Sequence, residues 1–304
     1  MEYNLFKRLV TERIKDFMPP VFHKYTVDVR PVRKVNRTKD GFCLIPPGPS
    51  QNLAIPTLYL DDLYADFMED EDLDRILEAA AGVFTTWSGF EVPELCQFQL
   101  DDHRDKIIAN LISCDRNRDL LETVPHAQML DMAVIYRLVS GITDHGINSC
   151  IITNDMLNGS ELTKDELHRL ALENTPQMLP PRIYDGSEEG VFVVTNKSGI
   201  CGAAVMLDEE QLQIVAQLAG GDYYILPSSI HEFFAVSVDT MDLAELLPML
   251  AAGNGGITAP EDQLSESIYY YNAKSRQLTV AASYVDHRPE EFREELREEG
   301  LPKA

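Results

Sequence analysis

Residues 189–237, EGVFVVTNKSGICGAAVMLDEEQLQIVAQLAGGDYYILPSSIHEFFAVS, decide the fold class. EGVFVVTNK reads as a strand reaching a turn, since β-branched and aromatic residues run together as far as Thr195-Asn196. The strand-sized apolar run GICGAAVML, at 199–207, reads as a second strand. The period then changes. In DEEQLQIVAQLAG, Leu212, Ile214, Val215 and Leu218 turn inward on a helix that Gly220-Gly221 stops. DYYILP and HEFFAVS are two more strands around a Pro-Ser-Ser turn, followed by a helix over 240–251 with Asp239 as its N-cap. The order β-β-α-β-β-α predicts an α/β chain of α+β-like character, with helices packed on a mixed or largely antiparallel sheet. Its strand lengths and turns do not suit a doubly wound βαβ series.

Upstream, Phe6, Leu9, Val10 and Ile14 give residues 2–17 a helical face that Pro19-Pro20 closes. TVDVRPVRKV at 25–34 alternates like a strand, and Pro31 assigns it to an edge or a break. GFCLIP at 41–46 and a run near 54–60 flank a Pro-rich turn. Residues 61–84 form one predicted helix with Leu73, Ile76, Leu77 and Ala80 inward, and residues 85–100 a loose connection. Helices are predicted near 102–111 and 116–121, and strands over 129–139 and 148–152. Thr153 caps a short helix, and Thr163 with Glu166 forms a capping box for a helix over 164–173. Asn174-Thr175-Pro176 reads as that helix's exit, with a side that can contribute to a pocket. We divide the chain into an N-terminal α/β region with an acidic helix (1–100), a main mixed-sheet region (101–285) and a charged C-terminal helix or tail (286–304).

The formal net charge is −24, unevenly spread. Residues 1–40 hold ten Lys or Arg against five Asp or Glu, and the remaining 264 hold sixteen against forty-five. Repulsion from phosphates makes nucleic acid an unfavourable partner for most of this surface. The basic patch Arg30, Arg33, Lys34, Arg37 and Lys39 can dock an anion or pair with acidic groups of the chain itself. Every apolar run is too short to span a bilayer, so a cytoplasmic location is expected, with no membrane partner. Cys43, Cys96, Cys114, Cys150 and Cys201 contain no CxxC pair and read as free thiols. No metal site is expected, because His23, His103, His126, His145, His168 and His287 are dispersed and HExxH is absent. No cofactor is expected either: GNGGIT at 253–258 follows a helix rather than a strand and lacks a P-loop lysine.

The chemistry-bearing candidates are Ser228, Ser229, His231 and Glu232, held between two apolar strands. Ser229 and His231 share a face if the chain is extended. A nucleophile and its base must approach to about 3 Å, and a distant acid or amide such as Asp222 or Asn196 would have to complete the set. The plainer reading is a serine-rich hairpin turn whose hydroxyls bond backbone amides while His231 bonds a carbonyl.

Several separated segments carry a family resemblance: VPHAQMLDMAVIYRLV at 124–139, IITNDML at 151–157, ELTKDELHRLALENTPQMLP at 161–180, the run from Cys201 to Glu232, and SESIYYY at 265–271. Together they resemble an uncharacterised family, a domain of unknown function, from clostridial-type Gram-positive bacteria. The resemblance implies a bacterial cytosolic origin and carries no activity. Where that family has a Tyr-Pro-Gly turn, this chain has Leu207-Asp208-Glu209. The leading expectation is a non-enzymatic binding or regulatory module for a protein or small-molecule ligand. The alternatives are a hydrolase-type enzyme using the 227–232 turn, and an acidic nucleic-acid mimic that binds a basic partner protein.

Overall fold

Alternation over TVDVRPVRK produces strand β1 (Thr26–Lys34), which pairs antiparallel with β2 (Arg37–Ile45) along its whole length. The computed structural model describes residues 1–48, 57–88, 100–143 and 146–283, in two units, Met1–Phe98 and Gln99–Ala304.

In the N-terminal unit, β3 (Thr57–Tyr59) completes a three-stranded sheet in the order β1-β2-β3. Pro31 lies on edge strand β1 without breaking it, where its missing N–H costs no ladder bond. Helices α1 (Tyr3–Arg13), α2 (Leu60–Asp70) and α3 (Leu73–Ser88) supply Phe6, Val10, Phe67, Leu77 and Phe84 to a core that Phe42 and Leu44 of β2 complete. The single helix expected over 61–84 is therefore two. Glu71 takes a left-handed conformation (φ 57°) and ends α2, its N–H bonding the Phe67 carbonyl at 2.7 Å. The Asp72 carboxylate then accepts the Arg75 N–H at 3.1 Å. The acidic run thus supplies a helix stop and a helix start, which a continuous apolar face conceals.

Glu71 is an exposed C-terminal cap in a region of backbone space that favours glycine. Glu71→Gly should stabilise the N-terminal unit by about 0.5–1 kcal/mol in urea unfolding. A loss of stability would mean that the glutamate side chain contributes more than its backbone strain costs. The basic patch finds counter-charges within its own unit: Lys39 lies 2.6 Å and Arg37 3.9 Å from the Asp62 carboxylate on α2.

The C-terminal unit contains two sheets. The first is built from β4 (Ile107–Ser113), β5 (His126–Met129), β6 (Met132–Thr143) and β7 (Gly146–Ile151), with β4, β5 and β7 all paired antiparallel to β6. The helix expected over 102–111 is instead a 3₁₀ segment, Leu100–Lys106, followed by β4. Every residue of β4 is buried, so it lacks the polar alternation that distinguishes a half-exposed strand. The strand expected over 129–139 is present as β6 from Met132 onward, and Leu130-Asp131 form the turn of its hairpin with β5, which ends at Met129. A short helix, α4 (Arg118–Leu121), precedes this hairpin.

Thr153 caps α5 (Asn154–Asn158), and the Thr163–Glu166 capping box opens α6 (Lys164–Met178). The helix exit expected at 174–176 is overturned, because α6 runs through Pro176. Those residues pin the helix to β4. The Thr175 hydroxyl donates to the Ala171 carbonyl at 2.6 Å and accepts from the Ala109 N–H at 2.8 Å. Asn174 donates to the carbonyls of Arg104 and Ile107.

The second sheet has six strands in the order β13-β12-β10-β11-β9-β8, every pair antiparallel. Its strands are β8 (Pro181–Asp185), β9 (Val191–Asn196), β10 (Tyr223–Pro227), β11 (Phe233–Ser237), β12 (Ser267–Asn272) and β13 (Gln277–Ser283). Helix α7 (Glu209–Ala219) falls between β9 and β10, and α8 (Leu243–Ala252) between β11 and β12. The expected β-β-α-β-β-α order is present with β8 and β9 as its first pair. The α+β character is likewise as expected.

Residues 199–207 are not a strand. Cys201 is left-handed (φ 56°) and leads into a 3₁₀ helix, Gly202–Leu207. On α7, Leu212, Val215 and Ala216 are buried, whereas Ile214 and Leu218 are exposed. The α8 cap is Asp242 rather than Asp239, because Glu245 completes a capping box with it. GNGGIT continues α8 as a π-turn over Gly253–Ile257. The tail expected over 286–304 lies outside the described residues.

Candidate functional site

The turn from Pro227 to Phe233 draws its geometry from three neighbouring pieces of backbone. The Ile230 N–H donates to the Asp262 carbonyl at 2.7 Å, the Ala203 N–H to the Ile230 carbonyl at 3.3 Å, and the Thr195 hydroxyl to the His231 carbonyl at 2.8 Å. Within the turn, the Ser229 N–H bonds the Glu232 carbonyl, and the Ser229 hydroxyl accepts the His231 N–H at 3.0 Å. The Ser228 hydroxyl reaches Glu232 Oε1 at 3.4 Å. All four sequence-selected residues are thus brought together, but their contacts differ from those of a nucleophile and its base.

The imidazole of His231 is engaged at both nitrogens. Nδ1 accepts the backbone N–H of Cys201 at 3.1 Å, which in the neutral ring leaves the proton on Nε2, 3.2 Å from Asp262 Oδ1. Neither the Ser228 nor the Ser229 hydroxyl bonds the ring; each bonds elsewhere in the turn. The acid beside the histidine is Asp262, and neither Asp222 nor Asn196 fills that place. Asp222 accepts from Tyr270, Asn272 and the Ala273 N–H, and Asn196 is spent on Ile200 and Ser198. His168, another dispersed histidine, bonds the Tyr136 hydroxyl at 3.0 Å.

Beside the His231 anchor, the 3₁₀ helix Gly202–Leu207 and α6 enclose a cleft of about 510 Å³. Leu172, Pro176, Leu179, Ala204, Val205 and Leu207 give it apolar lining. Its polar lining residues include Asn196, Thr175, Glu173, Asp208, Glu209 and Glu210. The Asp208 carboxylate caps α7 by accepting the N–H groups of Glu210 and Gln211. Glu173 pairs with Arg169 at 2.8 Å, and Glu209 with Arg276 at 3.1 Å. Cys201 also lines the cleft, and burial pushes its thiol above the usual value.

Three of these residues stand out in the sequence: Asn196, and Thr175 and Pro176 as pocket contributors. No signal placed the rest there, because the cleft is assembled from segments separated along the chain. Leu207, Asp208 and Glu209, a run singled out in the sequence, lie in the cleft lining.

Among the described residues, no group of three or more His, Cys, Asp or Glu could hold a metal ion, and no helix is long and apolar enough to cross a membrane. A family described only as one of unknown function (DUF5688) matches residues 3–188 and 184–273. No curated protein and no solved structure matches the chain.

Proposed function

Because the chain belongs to this family of unknown function, membership brings no activity with it, and we propose that the C-terminal unit is a non-enzymatic binding module whose ligand occupies the α6–α7 cleft. The supporting observation is the cleft itself. At about 510 Å³ it falls within the size range of small-ligand sites, and its apolar lining carries a few polar groups. His231 belongs to the supporting framework in this reading, since its ring holds the Cys201 amide and Asp262. The ligand is a small molecule or one side chain of a protein. A reducing cytosolic compartment, as in a clostridial-type bacterium, suits the free thiols Cys43, Cys114, Cys150 and Cys201.

Ligand-observed NMR with a fragment set on the full chain tests this proposal. Leu207, half-buried in the cleft wall, gives the blocking substitution Leu207→Trp. Fragments that compete with one another for the wild-type protein should lose most of their signal with Leu207→Trp at unchanged unfolding temperature. Binding that the substitution leaves intact would sink the cleft as the site. Turnover of an ester or amide substrate that disappears in His231→Ala, with the fold retained, would replace the binding reading with the hydrolase one.

A further inference from the structure

We infer that His231 is a pH-sensitive latch on the wall of the α6–α7 cleft: a proton taken up at Nδ1 releases Cys201, and with it the start of the 3₁₀ helix Gly202–Leu207. The latch is defined without reference to a ligand, so it stands or falls apart from the binding-module reading.

The ring joins backbone 30 positions before it to a carboxylate 31 positions after it. Nδ1 accepts the Cys201 N–H at 3.1 Å, and a ring nitrogen can accept only while it carries no proton. The contact of Nε2 with Asp262 Oδ1, at 3.2 Å, survives in both forms of the ring and strengthens when the ring is charged. A solvent proton that binds the Nδ1 lone pair therefore sets two N–H donors face to face at Cys201 and draws the ring towards Asp262. The two ends respond in opposite senses, and Cys201 is the end that gives way.

The Cys201 junction is built to transmit that change. Cys201 is buried, so its N–H loses an acceptor where water replaces it poorly. Its backbone is left-handed (φ 56°), an unfavourable conformation for a residue with a Cβ, and release lets it relax. The helix that follows contributes Ala204, Val205 and Leu207 to the cleft, so a shift at its start reaches the lining.

The charged groups around this junction come from several segments. Asp262 faces Nε2, with Glu261 beside it in the chain, and Glu232 accepts the Ser228 hydroxyl within the turn. Arg137 of β6 and Asp262 both act on the Cys201 thiol, in opposite directions. The cleft that Cys201 lines adds Glu173, Asp208, Glu209 and Glu210. The remaining contacts are neutral: the Ser229 hydroxyl accepts the His231 N–H, and the Thr195 hydroxyl donates to its carbonyl.

Hydrogen exchange followed by NMR on the full chain, from about pH 8 to about pH 5, tests the latch. Each rate is divided by that of an unstructured amide at the same pH. Protection of the Cys201 amide should fall about tenfold or more, with the midpoint of the His231 imidazole resonances, while the β10–β11 amides keep theirs. Uncharged fragments that compete for the cleft should bind about threefold more weakly below that midpoint. His231→Asn places a carboxamide oxygen near the position of Nδ1, an acceptor at every pH, and should hold Cys201 protection level. Asp262→Asn keeps an acceptor for Nε2–H and removes the charge that favours the imidazolium. Both midpoints should then move down together by about half a unit to one unit.

Constant Cys201 protection while His231 titrates overturns the latch, as does an imidazole with no titration in this range. A fall in protection that persists in His231→Asn assigns the response to another group and overturns it too. If His231→Asn does not fold, Asp262→Asn decides, because a Cys201 midpoint that stays in place while the imidazole midpoint moves removes the latch. Equal fragment binding on both sides of the midpoint, with Cys201 released, overturns the coupling to the cleft. Absence of all fragment binding overturns the binding-module reading, and the latch then stands on the Cys201 result.

Discussion

Asp131→Ala should destabilise the C-terminal unit by about 2–4 kcal/mol in urea unfolding followed by circular dichroism. Asp131 sits in the turn of the β5–β6 hairpin, and its carboxylate accepts three hydroxyl donors from the segment that leads into and forms β12. Ser265 and Ser267 reach Oδ2 at 2.7 and 3.0 Å, and Tyr269 reaches Oδ1 at 2.6 Å. Tyr269 and both serines are buried. Burial, and then the charge of Asp131, push the tyrosine hydroxyl well above its ordinary value, so it remains a donor throughout the neutral range. Removing the carboxylate leaves donors in a site that water reaches poorly, and unmet donors cost more than the bonds contribute on average.

Tyr269→Phe should cost about 1–2 kcal/mol, because it deletes one donor and leaves the acceptor two others. The double variant should cost less than the sum, since a phenylalanine has no hydroxyl to orphan. An Asp131→Ala loss below about 1 kcal/mol would show that the network is solvated and not a tie between the two segments.

Gly202→Ala should cost about 2–4 kcal/mol and also weaken any ligand of the cleft. A Cβ at this position would lie 2.2 Å from the His231 carbonyl oxygen and 2.2 Å from Thr195 Oγ1, with the Asn196 nitrogen at 3.0 Å. Two of those atoms are backbone, and Thr195 Oγ1 is itself bonded to the His231 carbonyl at 2.8 Å. No flexible side-chain end is available to yield. The displacement must fall on the 3₁₀ helix Gly202–Leu207, whose Ala204, Val205 and Leu207 line the cleft. Thermal unfolding and the competing-fragment NMR measurement, run on the same preparation, check both halves. A variant with unchanged stability would mean that the helix docks more loosely than these distances require.

The same glycine explains why residues 199–207 were read wrongly from sequence. An apolar run of strand length has no alternation to reveal whether it pairs or coils. What decides here is a contact between Gly202 and His231, which no local pattern records. Cys201 adds a left-handed backbone, uncommon for that residue type, immediately before the turn. β4 failed for a related reason, being buried on both faces. The elements that carry their own chemistry were legible. The Thr163–Glu166 capping box, the Gly220-Gly221 stop and the β10–β11 hairpin are specified by residues within a few positions of one another. The candidate turn at 227–232 was located correctly as a structural unit, but its partners Asp262 and Cys201 come from distant segments and had no local signal.

The order β13-β12-β10-β11-β9-β8 has a kinetic consequence. It consists of three local hairpins laid side by side: β8–β9, β10–β11 and β12–β13. Within each hairpin the chain closes a short loop. Pairing one hairpin with the next joins residues about forty positions apart, as in Val194 with Phe233 and Ile225 with Tyr269, and loop-closure entropy makes those the slower contacts. Hairpins therefore form early and dock late, and the helices α7 and α8 sit in the very connections that must close. Substitutions at the β9–β11 seam, and at Gly202 packed against its end, act on docked contacts and should chiefly accelerate unfolding, leaving the rate at which the hairpins first appear almost unchanged.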